Sequence, residues 1–198
     1  RRARLPENEA MERGLKSYLA DVDAGFDLLH VDPTKDPDFS EGTVPMDIVL
    51  SRTVELIEKI EAYLKKNHLP QSGDEGGTEE TNGGLTGVDA FETFIKRLCA
   101  MLKEKNLPAP NFIVGQTGTL TRLTENIGHY SFDNAQKLSA IAAAHGMELK
   151  EHNGDYLPDS ILLMHTALGV SSSNVAPEFG TDETRAYIEL AKIEKKLY

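Results

Sequence analysis

The chain of 198 residues is 39% hydrophobic and 27% charged, with a formal net charge of −11. That acid surplus argues against a nucleic-acid partner, because a phosphate backbone needs a basic face; a small sugar phosphate, held by a few backbone N–H groups, stays compatible. No run approaches the roughly 18–20 apolar residues that span a bilayer, and a single cysteine, Cys99, rules out an internal disulfide. A cytoplasmic protein with no membrane partner is expected.

The segments alternate regularly. Leu15, Leu19 and Val22 recur at helical spacing between Glu9 and Ala24, and Gly25 ends that helix. Phe26 to Val31 is a short apolar run, read as a buried strand, and Asp32-Pro33-Thr34 is the polar loop after it. A second helix starts near Pro45 and carries Ile48, Val49, Val54, Leu56, Ile57 and Ile60 towards Lys66. From Gln71 to Gly87 the chain turns Gly-rich and acidic. Helix returns from Val88 to Lys105 and stops before Pro108 and Pro110, where a strand, Phe112 to Gly115, leads into Gln116-Thr117-Gly118-Thr119. Phe132 to His145 reads as a helix, with Ser131 or Asp133 as its N-cap and Gly146 as its stop. Met147 to Glu151 is strand-like, and His152-Asn153-Gly154-Asp155 is the loop beyond. A helix over Pro158 to Leu168, a short run over Gly169 to Ala176 and a last helix from Thr184 to Leu197 complete the chain.

Helices alternating with short strands mean parallel strands joined by helical crossovers. A doubly wound sheet and a closed barrel both have this rhythm. No Gly-x-Gly-x-x-Gly follows a strand and no P-loop is present, which disfavours nucleotide-binding open sheets. Polar residues gather just after the strands, where barrels build their sites. The fold class expected is α/β, the C-terminal part of a (β/α)8 TIM barrel.

The fragments Phe26 to Asp32, Gly77-Thr78-Glu79 with Gly83-Gly84, and Phe112 to Gly118 share their order with one family. So do Ile127 to Tyr130, Glu151 to Tyr156, Asn174 to Pro177 and Ala191 to Glu194. Together they resemble the tagatose-bisphosphate aldolase accessory subunits, GatZ/KbaZ-like proteins formerly described as tagatose-6-phosphate kinases. That family is related to the class II, metal-dependent ketose-bisphosphate aldolases. The resemblance implies a single barrel domain over 1–198 whose strands are the family's fourth to eighth. It implies handling of a ketohexose phosphate with a divalent metal ion, zinc by the ligand chemistry, either by an aldolase or by its subunit. A ketose or ketose-phosphate epimerase is the enzymatic alternative; a non-catalytic subunit that stabilises an aldolase partner, or a homo-oligomer, is the other. Under the resemblance His152 is a metal ligand, and Asp32 and Glu79 are acidic positions that bind the metal or move a proton. Gln116, Asn174 and Asp155 fall where substrate is contacted.

Two departures accompany the resemblance. The family's first three strands, with a Gly-Asp-His metal-binding segment, have no counterpart, although a whole barrel needs about 250 residues. The fifth strand should be apolar, but its place reads Gln71-Ser72-Gly73-Asp74-Glu75-Gly76, too polar for a buried strand. Residues missing before Arg1 and near Ser72 are therefore expected. The class II enzymes use a histidine in the loop after the sixth strand, and the corresponding loop here, Gln116-Thr117-Gly118, has none.

Each candidate also has a plainer reading. His152 suits zinc beside a carboxylate that orients it, or is a surface-loop histidine. Asp32 binds metal or a sugar hydroxyl, or caps its own loop. Glu79 and Glu80 are adjacent, so one alone points inward, unless both are simply solvated. His30, two residues before Asp32, is a ligand or a core histidine. Arg185 meets a phosphate or, the plainer reading, pairs with Glu178 or Asp182. Ser171 to Ser173 lack a nucleophile elbow, so serine catalysis is not expected.

Overall fold

The computed structural model describes residues 5–34, 36, 39, 44–77 and 85–197. In chain order the elements are α1 (Glu7–Asp23), β1 (Leu28–Val31), α2 (Met46–Asn67), β2 (Gly73–Gly77), α3 (Val88–Glu104), β3 (Phe112–Gly115), β4 (Thr121–Arg122) and β5 (Glu125–Asn126). They continue with α4 (Phe132–Ala144), β6 (Glu148–Glu151), α5 (Asp159–Leu168), β7 (Val170–Ser173) and α6 (Pro177–Leu197). One five-stranded sheet runs β1-β2-β3-β6-β7, and every pairing in it is parallel. Sequential strands are neighbours joined by helices, so the sheet is an open arc of a (β/α) barrel, as expected from the strand–helix rhythm.

The helices hold because their apolar residues share one face. α2 buries Val49, Leu50, Val54, Ile57, Ile60 and Leu64, at steps of one to four residues along a single stripe. It ends where His68 turns left-handed (φ 55°) and returns its N–H to the carbonyl of Leu64. α3 buries Phe91, Phe94, Ile95, Leu98 and Leu102. α4 starts at Ser131, whose hydroxyl accepts the N–H of Asn134 at 3.2 Å, which decides between the two caps expected for it. These stripes pack on Leu29, Val31, Ile113, Leu149 and Val170 from the sheet, forming one apolar core. Each Leu or Ile so buried contributes about 1.5–3 kcal/mol relative to exposure.

Strand alternation sends the next residues to the opposite, inner face: Leu28 and His30 on β1, Glu75 on β2, Phe112 and Val114 on β3, Lys150 on β6. Register then decides who meets whom, pairing His30 with Glu75 and Val114 with Lys150.

Three sequence expectations need correction. The segment judged too polar for a buried strand is β2, hydrogen-bonded to both β1 and β3 and buried from Asp74 onward. Its glycines explain part of this, since a Cβ on Gly77 would lie 2.7 Å from the Cβ of Val114. Its carboxylates explain the rest, because Glu75 is paired and Asp74 is pushed up to about 7 by burial, with Glu61 adding to the rise. A hairpin of β4 and β5 lies where only loop was anticipated, its strands being too short for any periodicity. The last helix begins at Pro177, one turn and more before Thr184, because the Asp155 carboxylate accepts the N–H groups of Ala176 (2.8 Å) and Glu178 (3.0 Å) and caps the earlier start. None of α6's residues is buried, and Phe179, Tyr187, Leu190 and Ile193 stand exposed. Among the described residues, no helix is long and apolar enough to cross a membrane.

Candidate metal centre

The inner face gathers three ligand-bearing side chains that are distant in sequence, two from the strands β1 and β2 and one from the loop that follows β6. Nδ1 of His30 lies 2.8 Å from Oε1 of Glu75, and Nε2 of His152 lies 3.4 Å from the same oxygen. The two imidazoles meet edge to face, with ring centroids 5.3 Å apart. One ligand atom from each of the three residues falls within 4.8 Å of the others. The second carboxylate oxygen, Oε2, accepts from the ammonium of Lys150.

Glu75 is 1% exposed. Burial alone would push its carboxyl up, but hydrogen bonds from His152, His30 and Lys150 outweigh that and hold it well below the usual carboxylate range. For His30, burial favours the neutral ring, yet the hydrogen bond and charge of Glu75, with Asp32, raise its pKa. The cluster is therefore an ionised carboxylate with three cationic or polar donors around it.

Two threonines of the loop after β3 bond to the backbone of His152 and to the side chain of its neighbour Glu151. The Thr119 hydroxyl donates to the carbonyl of His152 at 2.6 Å, and the Thr117 hydroxyl donates to Oε2 of Glu151 at 2.5 Å. The β4–β5 hairpin adds the amide of Asn126, which donates to the carbonyls of Asn153 and Asp155, both at 2.9 Å. Asn153 and Tyr156 both take left-handed backbone (φ 60° and 58°), a conformation that costs free energy outside glycine and needs such clamps. Behind the loop, Glu151 is fully buried, with Ser173 at 3.3 Å and Nε2 of His165 at 3.5 Å. Burial pushes Glu151 up to about 7, against the opposing hydrogen bonds of Thr117 and Ser173.

The residues singled out from sequence separate into groups. His152 joins the cluster, and so does His30. Asp32 sits at its edge, Oδ2 being 3.8 Å from Nε2 of His30, while Oδ1 accepts the N–H of Thr34 at 2.9 Å and caps the loop. Gln116 is 1% exposed, and both polar atoms of its side chain lack a partner among the described residues. It follows Gly115 as His152 follows Glu151, so the register carries it alongside His152. Asp155 is buried and spends Oδ1 on capping α6. Asn174 is exposed, and its backbone stitches the loop by donating to Glu151 (3.0 Å) and accepting from Gly154 (2.9 Å). Glu79 lies outside the described residues, as do Glu80 and Gly83-Gly84.

Sequence reasoning missed Glu75 and Lys150. Glu75 was hidden by the judgement that its segment was not a strand. Lys150 shares strand parity with His152, two residues on, and that parity was the readable signal.

The donor set is two imidazoles and one carboxylate, the His2Glu composition of open zinc sites, which leaves a coordination position for water or substrate. The buried Gln116 amide, without a partner among the described residues, also fits a ligand, so the residues suit a divalent ion.

Fold and cluster together define an arc of a (β/α) barrel whose inner face carries a two-histidine, one-carboxylate centre. No family model and no curated protein matches the chain. Among solved structures it is similar to a probable tagatose 6-phosphate kinase from Sinorhizobium meliloti 1021, with TM-score 0.73 and 24% identity, over 88% of this chain and 44% of that one. It is similar also to the YdjI aldolase from Escherichia coli K12, with TM-score 0.54 and 12% identity, over 88% of this chain and 53% of that one. A third is 2,3-dimethylmalate lyase, a member of the PEP mutase/isocitrate lyase superfamily, with TM-score 0.51 and 14% identity, over 94% of this chain and 55% of that one. At these identities the likeness establishes the fold. The chain spans about half the length of these structures.

Proposed function

We propose that this chain carries the metal centre of a (β/α) barrel acting on a ketose or ketose phosphate by aldol cleavage, tagatose bisphosphate being the substrate its sequence resemblance suggests. The observation that carries the reading is the convergence of His30, Glu75 and His152 within 4.8 Å on the inner face. When bound there, a divalent ion, zinc by donor type, supplies polarisation of the ketone and stabilisation of the enediolate. The protein's own groups do the rest. His30, Glu75 and His152 would hold the ion. Asp32, at the mouth of β1 and against His30, is placed to move the proton of a substrate hydroxyl. The buried amide of Gln116 offers both a donor and an acceptor to substrate hydroxyls. Asn174, at the rim, and Asp155, through the oxygen not engaged in capping, are further substrate contacts in this reading. Glu79 is a further acidic ligand or proton carrier that the resemblance supplies.

A second reading is a non-catalytic subunit that stabilises an aldolase partner. The specific observation in its favour is that Lys150 already satisfies Glu75, so the cluster is charge-balanced with no ion. A ketose epimerase would use the same metal for retro-aldol or deprotonation chemistry, followed by re-addition on the other face of the substrate. The deciding experiment incubates the full chain, with zinc or manganese supplied, with tagatose 1,6-bisphosphate and separately with tagatose or fructose 6-phosphate. Triose phosphates support cleavage, an interconverted hexose pool supports epimerisation, and no turnover together with no bound metal supports the subunit.

A further inference from the structure

Lys150 is the one strand residue with an ammonium on the inner face among the described residues, and nothing in the aldol reading uses it. Its side chain is 12% exposed and that of Glu75 is 1% exposed. The basic residues of the outer helices pair across solvent instead, Arg97 with Asp47 and Lys105 with Glu58. On the inner face the Glu75 carboxylate is divided between neighbours: Oε1 meets His30 and His152, and Oε2 is taken by Lys150. A carboxylate this buried needs a cation, and here the ammonium provides it.

A metal ion bound by His30, Glu75 and His152 would need the same negative charge. Two cations on one carboxylate in a partly desolvated site repel strongly. Lys150 stands on a flexible four-carbon stem, so it can withdraw while Glu75 stays in its strand. We propose that Lys150 is a resident counter-ion for Glu75, exchanged for the divalent ion, so that the carboxylate holds one cation or the other. This rests on the metal reading above. It makes metal affinity a difference between two cations rather than the intrinsic strength of three ligands, and it keeps the strand folded when metal is scarce.

The test uses the full chain as wild type, Lys150→Met, Lys150→Arg and the double variant Lys150→Met/Glu75→Gln. Zn2+ binding is read by calorimetry, Co2+ binding by its visible absorption, and the thermal midpoint is taken in chelator and in Zn2+. Lys150→Met should bind Zn2+ about tenfold more tightly than wild type, since the competing charge is gone. It should also melt lower in chelator and recover in Zn2+. Lys150→Arg should keep the wild-type affinity within a few-fold. The double variant should regain its midpoint in chelator and bind no Zn2+. Equal or weaker Zn2+ binding by Lys150→Met, or an unchanged midpoint in chelator, would overturn the exchange while leaving the metal centre intact. Absence of Zn2+ and Co2+ binding in both wild type and Lys150→Met would overturn the metal reading and the exchange together.

Discussion

β2 and β3 are adjacent strands in one sheet, yet they are held by opposite means. β3 reads Phe112-Ile113-Val114-Gly115, with Ile113 buried in the helix–sheet core and Val114 buried on the opposite, inner face. β2 reads Gly73-Asp74-Glu75-Gly76-Gly77 and has no apolar side chain at all, but its burial is just as complete from Asp74 onward. What secures β2 is the pairing of its backbone on both sides, the close approach its glycines permit, and the three donors that converge on Glu75. A strand can thus be specified by what its neighbours offer it. The same arrangement makes the polar strand the one that bears the candidate metal centre.

The contrast can be broken first at Glu75. Glu75→Ala should cost about 3 kcal/mol, because Lys150 and His30 lose their common acceptor inside the sheet. Chemical denaturation checks this, and adding Lys150→Met should return most of the loss. Ile113→Ala on the neighbouring strand should cost a similar 2–4 kcal/mol, roughly, but through a cavity, so no charge change elsewhere should rescue it. A rescue of equal size at both strands would erase the distinction between them.

Gly77→Ala should cost about 1–3 kcal/mol, since its Cβ would press on Val114 and force the β2–β3 backbones apart. The same denaturation assay reads it. At the small end, Asp74→Val should raise stability by about 1 kcal/mol at pH 8 by replacing a buried carboxylate that has one unpartnered oxygen. Its pH dependence has a defined sign. The folded-state pKa of Asp74 is raised to about 7 from an ordinary 3.8, so the folded protein holds a proton that the unfolded chain has released. Stability from this group is therefore greatest below the ordinary value, falls as pH rises between the two, and is level above about 7. Unfolding curves from pH 4 to pH 8 should show that fall in the wild type, and Asp74→Val should remove its share of it.

The apolar half of the molecule was legible and the polar half was not, for a physical reason. The stripes of α2, α3 and α4, and the runs of β1 and β3, are periodic because the helix–sheet core selects apolar residues at fixed intervals. β2 has no such signal; its cause lies in His30, Lys150 and His152, which are remote in sequence and meet it only through register. The loop histidine His152 was readable from its place after a strand, and Asp32 from its place at a strand mouth. Glu75 and Lys150 could be recognised only once strand parity put them on the same face of the sheet, either side of β3. The early start of α6 depended in the same way on Asp155, a cap more than twenty residues upstream.

The most direct measurement is Zn2+ binding by the full chain, set against binding by Glu75→Gln, His30→Ala and His152→Ala. One ion per chain in the wild type, weakened by each of the three substitutions at least about tenfold, is the result expected from a shared first coordination sphere. Wild-type binding that survives all three substitutions would place the ion elsewhere and contradict the centre described here.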